Sequence, residues 1–365
     1  MIALSALCLA LGCFSGTVYG RPPNIQETLA PTPNYWFSFG ASSSQTGFNS
    51  NGTLPNEANP IGNPTFPGNT FAGGINWVGY LTSYYNNSLL FTYNYAIGGA
   101  TINRTLVNPG SSKALTEEID EFMAGAGKKP SVTPWKSENS LFSFYIGIND
   151  LQATYNQGGD RGAFSDLLLD SYFAQAKRLY DVGARYFLFF NIPPTDRTPL
   201  MLKQSETARA TERAVIIEHN KRLSARATDF QNSTSGVHIA FYDIWTHYEV
   251  MLNSPQTYGF KDATSYGDAL DIYWANDFHA GVHANDYFAQ VVVAAGGDDK
   301  WAPQGHGSDW CSDGQCYEKT QVLWGQCGGY YYEGTDKCPS DAYCRYFSDW
   351  YSQCNPIEKS GKTFW

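Results

Sequence analysis

Five short apolar runs, separated by longer segments of mixed polarity, constrain the fold of this chain most. The runs are rich in aromatic residues and almost unbroken in apolar character, and each is bounded by turn-forming residues. They are too short for buried helices, so each predicts a buried β-strand. They cover residues 35–39, 89–95, 141–146, 186–190 and 237–242.

The segments between these runs predict helices, at residues 74–85, 115–126, 164–180, 206–230 and 283–295. We expect the acidic residues of 115–126 on the outer face of its helix. Strands that alternate with helices indicate a parallel sheet covered by helices on both faces. Ligands of such sheets bind beyond the carboxyl ends of the strands. Ser42, Gly99 and Asn149 each follow a predicted strand, so we expect them along one rim.

The first strand breaks at Gly40-Ala41-Ser42, within the segment 39–48. A strand that stops at Gly-x-Ser and turns lifts a serine hydroxyl to the open edge of a sheet. Backbone N–H groups at such a turn point the same way and would stabilise an anion formed there. Ser42 is therefore the candidate nucleophile. The alternative is a plain Ser/Gly-rich surface turn, which is what an isolated Gly-x-Ser most often forms.

A serine needs a base to act as a nucleophile at neutral pH. His279 is the best candidate, because its loop lies between the acidic segment 268–271 and the last predicted helix. A carboxylate usually orients such a histidine, and Asp277 is the nearest upstream acid. We expect His219 on the surface of a helix, and structural roles for His238 and His247. The nearest rival as the base is His283, four residues after His279.

Two further positions could stabilise an oxyanion. Gly99 would supply a backbone N–H and Asn149 a side-chain amide, each just after a predicted strand. The alternatives are a strand-ending turn at residues 98–99 and an Asx turn at Asn149. None of this chemistry requires a metal or a cofactor.

Four segments in order, 39–48, 94–101, 147–150 and 276–279, resemble the conserved blocks of the SGNH/GDSL hydrolases. Several shorter stretches (67–68, 73–74, 76–77 and 191–194) are similar to the secreted acetylesterases of carbohydrate esterase family sixteen. The resemblance covers roughly residues 34–295. It implies a three-layer α/β/α, flavodoxin-like SGNH hydrolase fold. It also implies Ser42 as nucleophile, His279 as base, and Gly99 and Asn149 as oxyanion donors.

Two positions depart from the pattern of this superfamily. The aspartate of Gly-Asp-Ser is Ala41, so a side chain that usually steadies the nucleophile turn is missing. The superfamily's Asp-x-x-His places Asn276, not Asp277, three residues before His279. Either Asp277 orients the histidine from a different turn, or Asn276 orients it without a charge.

The cysteines divide the chain into two regions. Of the 8 cysteines, Cys8 and Cys13 lie in the apolar N-terminal stretch, and the other six crowd into the C-terminal region: Cys311, Cys316, Cys327, Cys338, Cys344 and Cys354. An even set in a short segment of a secreted protein predicts disulfides. A segment of roughly thirty residues buries too little surface to fold without them. Cys311 and Cys316 could close a small loop in a linker.

The pattern from Trp324 to Cys354 resembles the fungal-type family-one cellulose-binding module. The resemblance implies the pairs Cys327–Cys344 and Cys338–Cys354. It also implies a flat cellulose-binding face, with Gln353 as its polar helper and three aromatic rings: Trp324, Trp350 and Tyr351. The alternative is a small knotted domain whose aromatic residues form its core.

The remaining features concern location and partners. Residues 1–20 read as a signal peptide, a membrane anchor being the alternative. Sequons at Asn51, Asn86, Asn103 and Asn232 fit a glycosylated secreted protein. The net charge of −10 argues against a nucleic-acid partner. We expect a secreted monomer without a membrane partner.

The predicted organisation is a signal peptide (1–20), an esterase domain (21–297), a linker (298–320), a cellulose-binding module (321–356) and a tail (357–365). The predicted function is removal of acetyl groups from cell-wall carbohydrate, xylan or its oligosaccharides, by an esterase held on a cellulose surface. The alternatives are a lipid-directed esterase of the same superfamily and a cellulose-bound protein with a lapsed site.

Overall fold

The structure is a computed structural model, which describes residues 33–86, 88–295, 311–312, 315–316, 321, 325–328, 335–340, 342–348 and 351–357. The predicted signal peptide and most of the predicted linker lie outside the described residues. The main sheet has five parallel strands in the order β2-β1-β3-β4-β5. These strands are β1 (Asn34–Gly40), β2 (Leu90–Asn94), β3 (Ser140–Tyr145), β4 (Tyr186–Phe190) and β5 (His238–Tyr242).

Helices connect the strands. They are α1 (Trp77–Gly79), α2 (Leu115–Ala124), α3 (Ile148–Thr154), α4 (Arg161–Asp181), α5 (Glu206–Ser233), α6 (Ile244–Asn253) and α7 (Val282–Ala295). The predicted helix at 74–85 begins as α1 and continues as a π-helix at Tyr80–Tyr84. Two short helices, α3 and α6, were not expected from the sequence. Both begin within three residues of a strand end. The apolar residues of the strand are followed at once by those of the helix, so the sequence pattern does not show where the strand ends and the helix begins.

Aromatic side chains pack on both faces of the sheet, as expected for a parallel sheet covered by helices. On one face, Phe37 of β1 packs against Phe122 of α2 with ring centroids 4.9 Å apart. On the other face, Trp36 of β1 packs against Trp77 of α1 at 5.3 Å. Successive strand residues point to opposite faces, so two adjacent aromatic residues of β1 contribute to both layers of the core.

Two polar residues expected at the surface are buried instead. Glu118 of α2 and His219 of α5 both have 0% exposed surface. His219 Nδ1 lies 3.2 Å from Ser165 Oγ, and burial lowers the pKa of His219 to about 4. The long helix α5 is covered at this point by α4, so its charged composition did not reveal its buried face.

The described C-terminal residues form two small antiparallel sheets. The strands β6 (Cys311–Ser312) and β7 (Gln315–Cys316) pair, with Cys311 opposite Cys316. The side chains of these two cysteines lie outside the described set. The second sheet has the order β8-β10-β9, and its strands are β8 (Gln326–Gly328), β9 (Ala342–Ser348) and β10 (Tyr351–Pro356).

Two disulfides, Cys327–Cys344 and Cys338–Cys354, confirm the predicted pairing in this second sheet. Among the described residues, the buried apolar cluster around them consists of Cys327, Ala342 and Cys354, with the partly buried Cys338 packed against it. Three of these four residues belong to the disulfides.

The sequons differ in exposure. Asn51 and Asn232 are exposed, whereas Asn86 is 5% exposed and donates a hydrogen bond to the Ser88 carbonyl at 3.0 Å. The folded protein therefore does not present Asn86 to solvent. None of the described helices has both the length and the apolar character that a membrane-spanning helix requires.

Candidate active site

The turn after β1 places Ser42 at the carboxyl edge of the sheet. A Cβ at Gly40 would lie 2.4 Å from the carbonyl oxygen of Tyr145, so only glycine fits where β1 passes the end of β3. The Asn94 amide at the end of β2 donates to the Ser44 carbonyl at 2.6 Å. Groups at the ends of β1, β2 and β3 therefore meet at this turn, and Ser42 is 8% exposed at its tip.

Ser42 and His279 meet as the sequence predicts. Ser42 Oγ lies 2.7 Å from His279 Nε2, and His279 Nδ1 lies 2.9 Å from Asn276 Oδ1. The same Asn276 oxygen accepts from the backbone N–H groups of Phe278 (3.0 Å) and His279 (2.9 Å). Because three donors converge on this atom, Nδ1 of His279 carries a proton and Nε2 accepts the hydroxyl proton of Ser42.

The assignment of Asp277 as the acid that orients His279 is corrected by this geometry. The Asp277 carboxylate points away from the imidazole and pairs with Lys203, with Oδ2 3.2 Å from Nζ. The backbone N–H of Leu200 also donates to the Asp277 carbonyl at 2.8 Å. The chain bends tightly at residues 275–279, where Asn276 Oδ1 accepts from the next turn while the Asp277 carboxylate points to Lys203. The residue that faces the ring is therefore Asn276.

The environment of His279 favours its neutral form. The ring of Phe71 stacks on the imidazole, with centroids 4.8 Å apart. Burial lowers the pKa of His279 to about 4, while the charge of Asp277 opposes this shift. A neutral imidazole that accepts from a serine hydroxyl is the state required of a general base.

Three hydrogen-bond donors lie at the edge where an oxyanion would form. Among the described residues, no acceptor takes the backbone N–H groups of Ser42 and Gly99. Gly99 has φ +80°, a conformation that favours glycine, and it is exposed. The Asn149 amide uses one N–H to donate to the Ala100 carbonyl at 2.7 Å. Its second N–H has no acceptor among the described residues, and the oxyanion role of Gly99 and Asn149 stays a prediction.

Buried contacts hold the loop that carries Gly99. The backbone N–H of Gly98 donates to Gln45 Oε1 at 2.6 Å. Both carboxylate oxygens of Asp150 accept from the Ile102 N–H, at 3.0 and 3.1 Å. Burial raises the pKa of Asp150 to about 7. These contacts fix the loop to the nucleophile turn on one side and to α3 on the other.

The residues that support the site differ in how far the sequence indicated them. Asn276 was one of the two alternatives left open for orienting His279, because it stands at the position of the superfamily's Asp-x-x-His. Glu118 and Phe71 were not expected to support the site. Glu118 lies among Leu115, Ile119 and Phe122, the buried positions of α2, which is an unusual place for a carboxylate. Nothing in the sequence indicated that Phe71 stacks on His279.

Of the predicted cellulose-binding residues, the structure describes the side chain of Gln353 alone. Trp324, Trp350 and the side chain of Tyr351 lie outside the described set. Gln353 is 1% exposed and accepts a hydrogen bond from the Asn355 amide at 3.0 Å. It lies on the central strand β10 opposite Gln326, which is also buried. The prediction that Gln353 helps at an exposed face is therefore wrong.

Comparison with known proteins agrees with the fold and the domain content. Residues 37–295 match the family model described as GDSL-like lipase/acylhydrolase, and residues 323–351 match that of the fungal cellulose binding domain. An acetylesterase from Thermothelomyces thermophilus is 36% identical over 296 residues, covering 80% of this chain and 97% of that protein.

More distant matches were also found. An inactive GDSL esterase/lipase-like protein from Arabidopsis thaliana is 25% identical over 178 residues, covering 46% of this chain and 41% of that protein. A solved acetylxylan esterase from Geobacillus stearothermophilus is 11% identical with a TM-score of 0.42, covering 74% of this chain and 97% of that one.

The family match spans most of the chain, and the sheet, the Ser42–His279 pair and the disulfide-linked module agree with it. The chain therefore belongs to the GDSL-like lipase/acylhydrolase family of carboxylic ester hydrolases and carries a fungal cellulose binding domain after its hydrolase region.

Proposed function

We propose that this protein is a secreted serine esterase that releases acetate from acetylated cell-wall carbohydrate, with xylan and its oligosaccharides as the substrate class. Ser42 is the nucleophile, His279 the base, and Gly99 and Asn149 the oxyanion donors. The observation that carries the proposal is the 2.7 Å contact between Ser42 Oγ and the unprotonated Nε2 of His279. This contact lies beside N–H groups that have no acceptor among the described residues.

The reaction follows from the geometry of these groups. His279 Nε2 takes the Ser42 proton as Oγ attacks the acetyl carbonyl carbon. The N–H groups of Ser42 and Gly99 and the free N–H of Asn149 stabilise the negative oxygen. The imidazolium then gives its proton to the departing sugar oxygen, leaving an acetyl-serine. Water, deprotonated by the same nitrogen, releases acetate and restores Ser42.

Asn276 orients His279 during this cycle but adds no negative charge. In serine hydrolases that use a carboxylate, the charge stabilises the imidazolium as well as orienting the ring. Here the amide oxygen performs only the orienting part, and burial keeps the resting imidazole neutral. The base is therefore available in mildly acidic solution.

A small cavity supports acetyl over longer acyl groups. A cavity of about 10 Å³ adjoins Ser42 and His279 and is walled by Phe71, Trp77 and Tyr248. This volume is about one water-sized sphere, so in this conformation the cavity has no room for a lipid chain. The similarity to an acetylesterase, 97% of whose length is covered by the match, also supports acetyl esters as substrates.

The cellulose binding domain supports a role at the plant cell wall and an extracellular location. A binding domain beside the hydrolase region raises the local concentration of enzyme near acetylated polymers that lie on cellulose. We propose that Trp324, Trp350 and Tyr351 supply the binding face, without Gln353.

The deciding experiment measures acetate released from acetylated xylan, acetylated xylo-oligosaccharides and a matched series of acetyl, butyryl and octanoyl esters. The Ser42→Ala variant is the control for background hydrolysis. We expect acetate release from the carbohydrates and a steep fall from acetyl to octanoyl. A preference for octanoyl esters would identify a lipid-directed esterase. Failure to hydrolyse any ester, with no labelling of Ser42 by a phosphonate, would identify a lapsed site.

A parallel pull-down on microcrystalline cellulose tests the binding face. Trp324→Ala should lower adsorption several-fold, since a buried aromatic anchor typically contributes more than about 1 kcal/mol to binding. Phe71 lies in the other site, so its replacement is the matched control and should leave adsorption unchanged. Wild-type adsorption in a Trp324/Trp350/Tyr351 triple alanine variant would refute the proposed face.

A further inference from the structure

The turn that carries Ser42 lacks the aspartate at position 41 that resembling hydrolases place there, and Ala41 is only 1% exposed. A side chain from another element lies under this turn. The backbone N–H of Gly40 donates to Glu118 Oε2 at 2.9 Å. Glu118 belongs to α2 and has 0% exposed surface.

The Glu118 carboxyl is unusual in its surroundings. It occupies the apolar face of α2, together with Leu115, Ile119 and Phe122. Hydrogen bonding to the carboxylate comes from the backbone of Gly40 and, more weakly, from that of Ile97. Burial raises the pKa of Glu118 well above its usual range. A buried carboxyl costs free energy compared with an apolar residue of the same size, so its contact with Gly40 is the feature to explain.

The backbone of Gly40 connects the turn that carries Ser42 with the loop that carries Gly99. Its N–H is held by Glu118, and its carbonyl accepts from the Ile97 N–H at 3.1 Å. Ser42 follows two residues after Gly40, and Gly99 follows two residues after Ile97. The place of Gly40 therefore sets the spacing between the nucleophile and an oxyanion donor.

We propose that Glu118 is a positioning residue for the reaction, holding the Gly40 peptide so that Ser42 and the Gly99 N–H keep their catalytic spacing. Glu118, which lies on α2, supplies the support that resembling hydrolases obtain from an aspartate beside the serine. This inference rests on the proposed function for its kinetic readout, though not for its labelling readout described below.

The test replaces Glu118 by Met, which keeps the side-chain volume and removes the acceptor, and by Gln, which keeps an acceptor oxygen without a charge. On a soluble acetyl ester, Glu118→Met should lower kcat by about 10-fold to 10²-fold, the usual effect of a small misplacement of reacting groups. KM should change little, because Glu118 does not contact substrate. Glu118→Gln should restore most of kcat. Asp120→Met is the matched control, because its carboxylate is 64% exposed and pairs with Arg178 at the surface.

The second readout is the rate at which a phosphonate labels Ser42, measured by mass spectrometry. Glu118→Met should slow labelling and Glu118→Gln should not. If the wild-type protein labels but releases no acetate, the proposed function fails while the labelling rates still decide the role of Glu118. Should Glu118→Met fail to fold, Glu118→Asp shortens the carboxyl by one methylene and should also lower kcat. Wild-type kcat in folded Glu118→Met or Glu118→Asp, or a rise in KM alone, would overturn the proposal.

Discussion

The hydrolase region and the C-terminal module are stabilised by different means. The hydrolase region has no cysteine between Cys13 and Cys311 and depends on a continuous core of buried aromatic and aliphatic side chains. The module has a described core of three residues, two of them cysteines in disulfides. Buried surface grows with chain length, so a long segment can fold on its core alone while a short one needs crosslinks.

The same difference extends to the way each region presents its functional groups. In the hydrolase region, hydrogen bonds from several strands and helices fix Ser42, His279 and Gly99. In the module, crosslinks join distant parts of a short chain. Mutations should therefore separate the two regions: changes at the Ser42 site should affect chemistry alone, and changes to the crosslinks should affect adsorption alone.

The largest effect is expected for Ser42→Ala. Loss of a serine nucleophile typically costs on the order of 10⁴-fold or more in turnover, and the alanine leaves the turn otherwise unchanged. Acetate release from a soluble acetyl ester should fall to background, while adsorption to cellulose stays at the wild-type level. Substantial acetate release by the folded variant would break the assignment of Ser42.

The next effect is expected for Asn149→Ala. Removing one oxyanion donor typically costs roughly 10²-fold to 10³-fold in kcat, and KM should rise little because the contact forms in the transition state. Steady-state kinetics on the soluble ester measure both constants. An increase in KM at constant kcat would make Asn149 a substrate-binding residue instead.

Cys338→Ala addresses the other region. It removes the bond to Cys354, and loss of a native disulfide from a small domain typically costs about 2–5 kcal/mol in the free energy of unfolding. Cellulose adsorption should be lost at moderate temperature, with kcat on a soluble ester unchanged. Equal losses of adsorption and kcat would show that the two regions are not independent.

The pH profile tests how Asn276 and burial set the base. His279 must be neutral to accept the Ser42 proton, so kcat/KM is fully developed above its pKa and is lost as the pH falls through that value, about 4. In Asn276→Asp, a carboxylate beside Nδ1 favours imidazolium and should raise the acid limb by about 1–3 pH units. An unmoved limb would show that the side chain at position 276 does not face the catalytic base in solution.

The smallest effect is expected for Asp277→Asn. Its carboxylate pairs with Lys203 at the surface, and exposed ion pairs contribute about 0–1 kcal/mol. Turnover should remain close to wild type, whereas Asn276→Ala should slow it clearly because the imidazole loses its orienting acceptor. The reverse ranking, measured as kcat on the same ester, would return the orienting role to Asp277.

The sequence alone determined the elements that depend on local pattern. Unbroken aromatic runs identified all five parallel strands, because strands buried on both faces need apolar residues at every position. Ser42, Gly99 and Asn149 were predicted because each follows a strand, and His279 because its loop lies between an acidic segment and the last helix; the contact of Ser42 with His279 is confirmed. The disulfide pairs followed from the spacing of a known module.

Only the tertiary structure decided which side chains meet across the fold. Asn276 and Asp277 are adjacent in sequence, and nothing local shows which one faces His279. Glu118 and Gly40 are 78 residues apart, and Gln353 is buried although its neighbours were expected on a face. Local pattern determines which elements form, because it reflects backbone geometry and burial. Contacts between segments far apart in sequence depend on how those elements pack, and a local sequence pattern does not determine that packing.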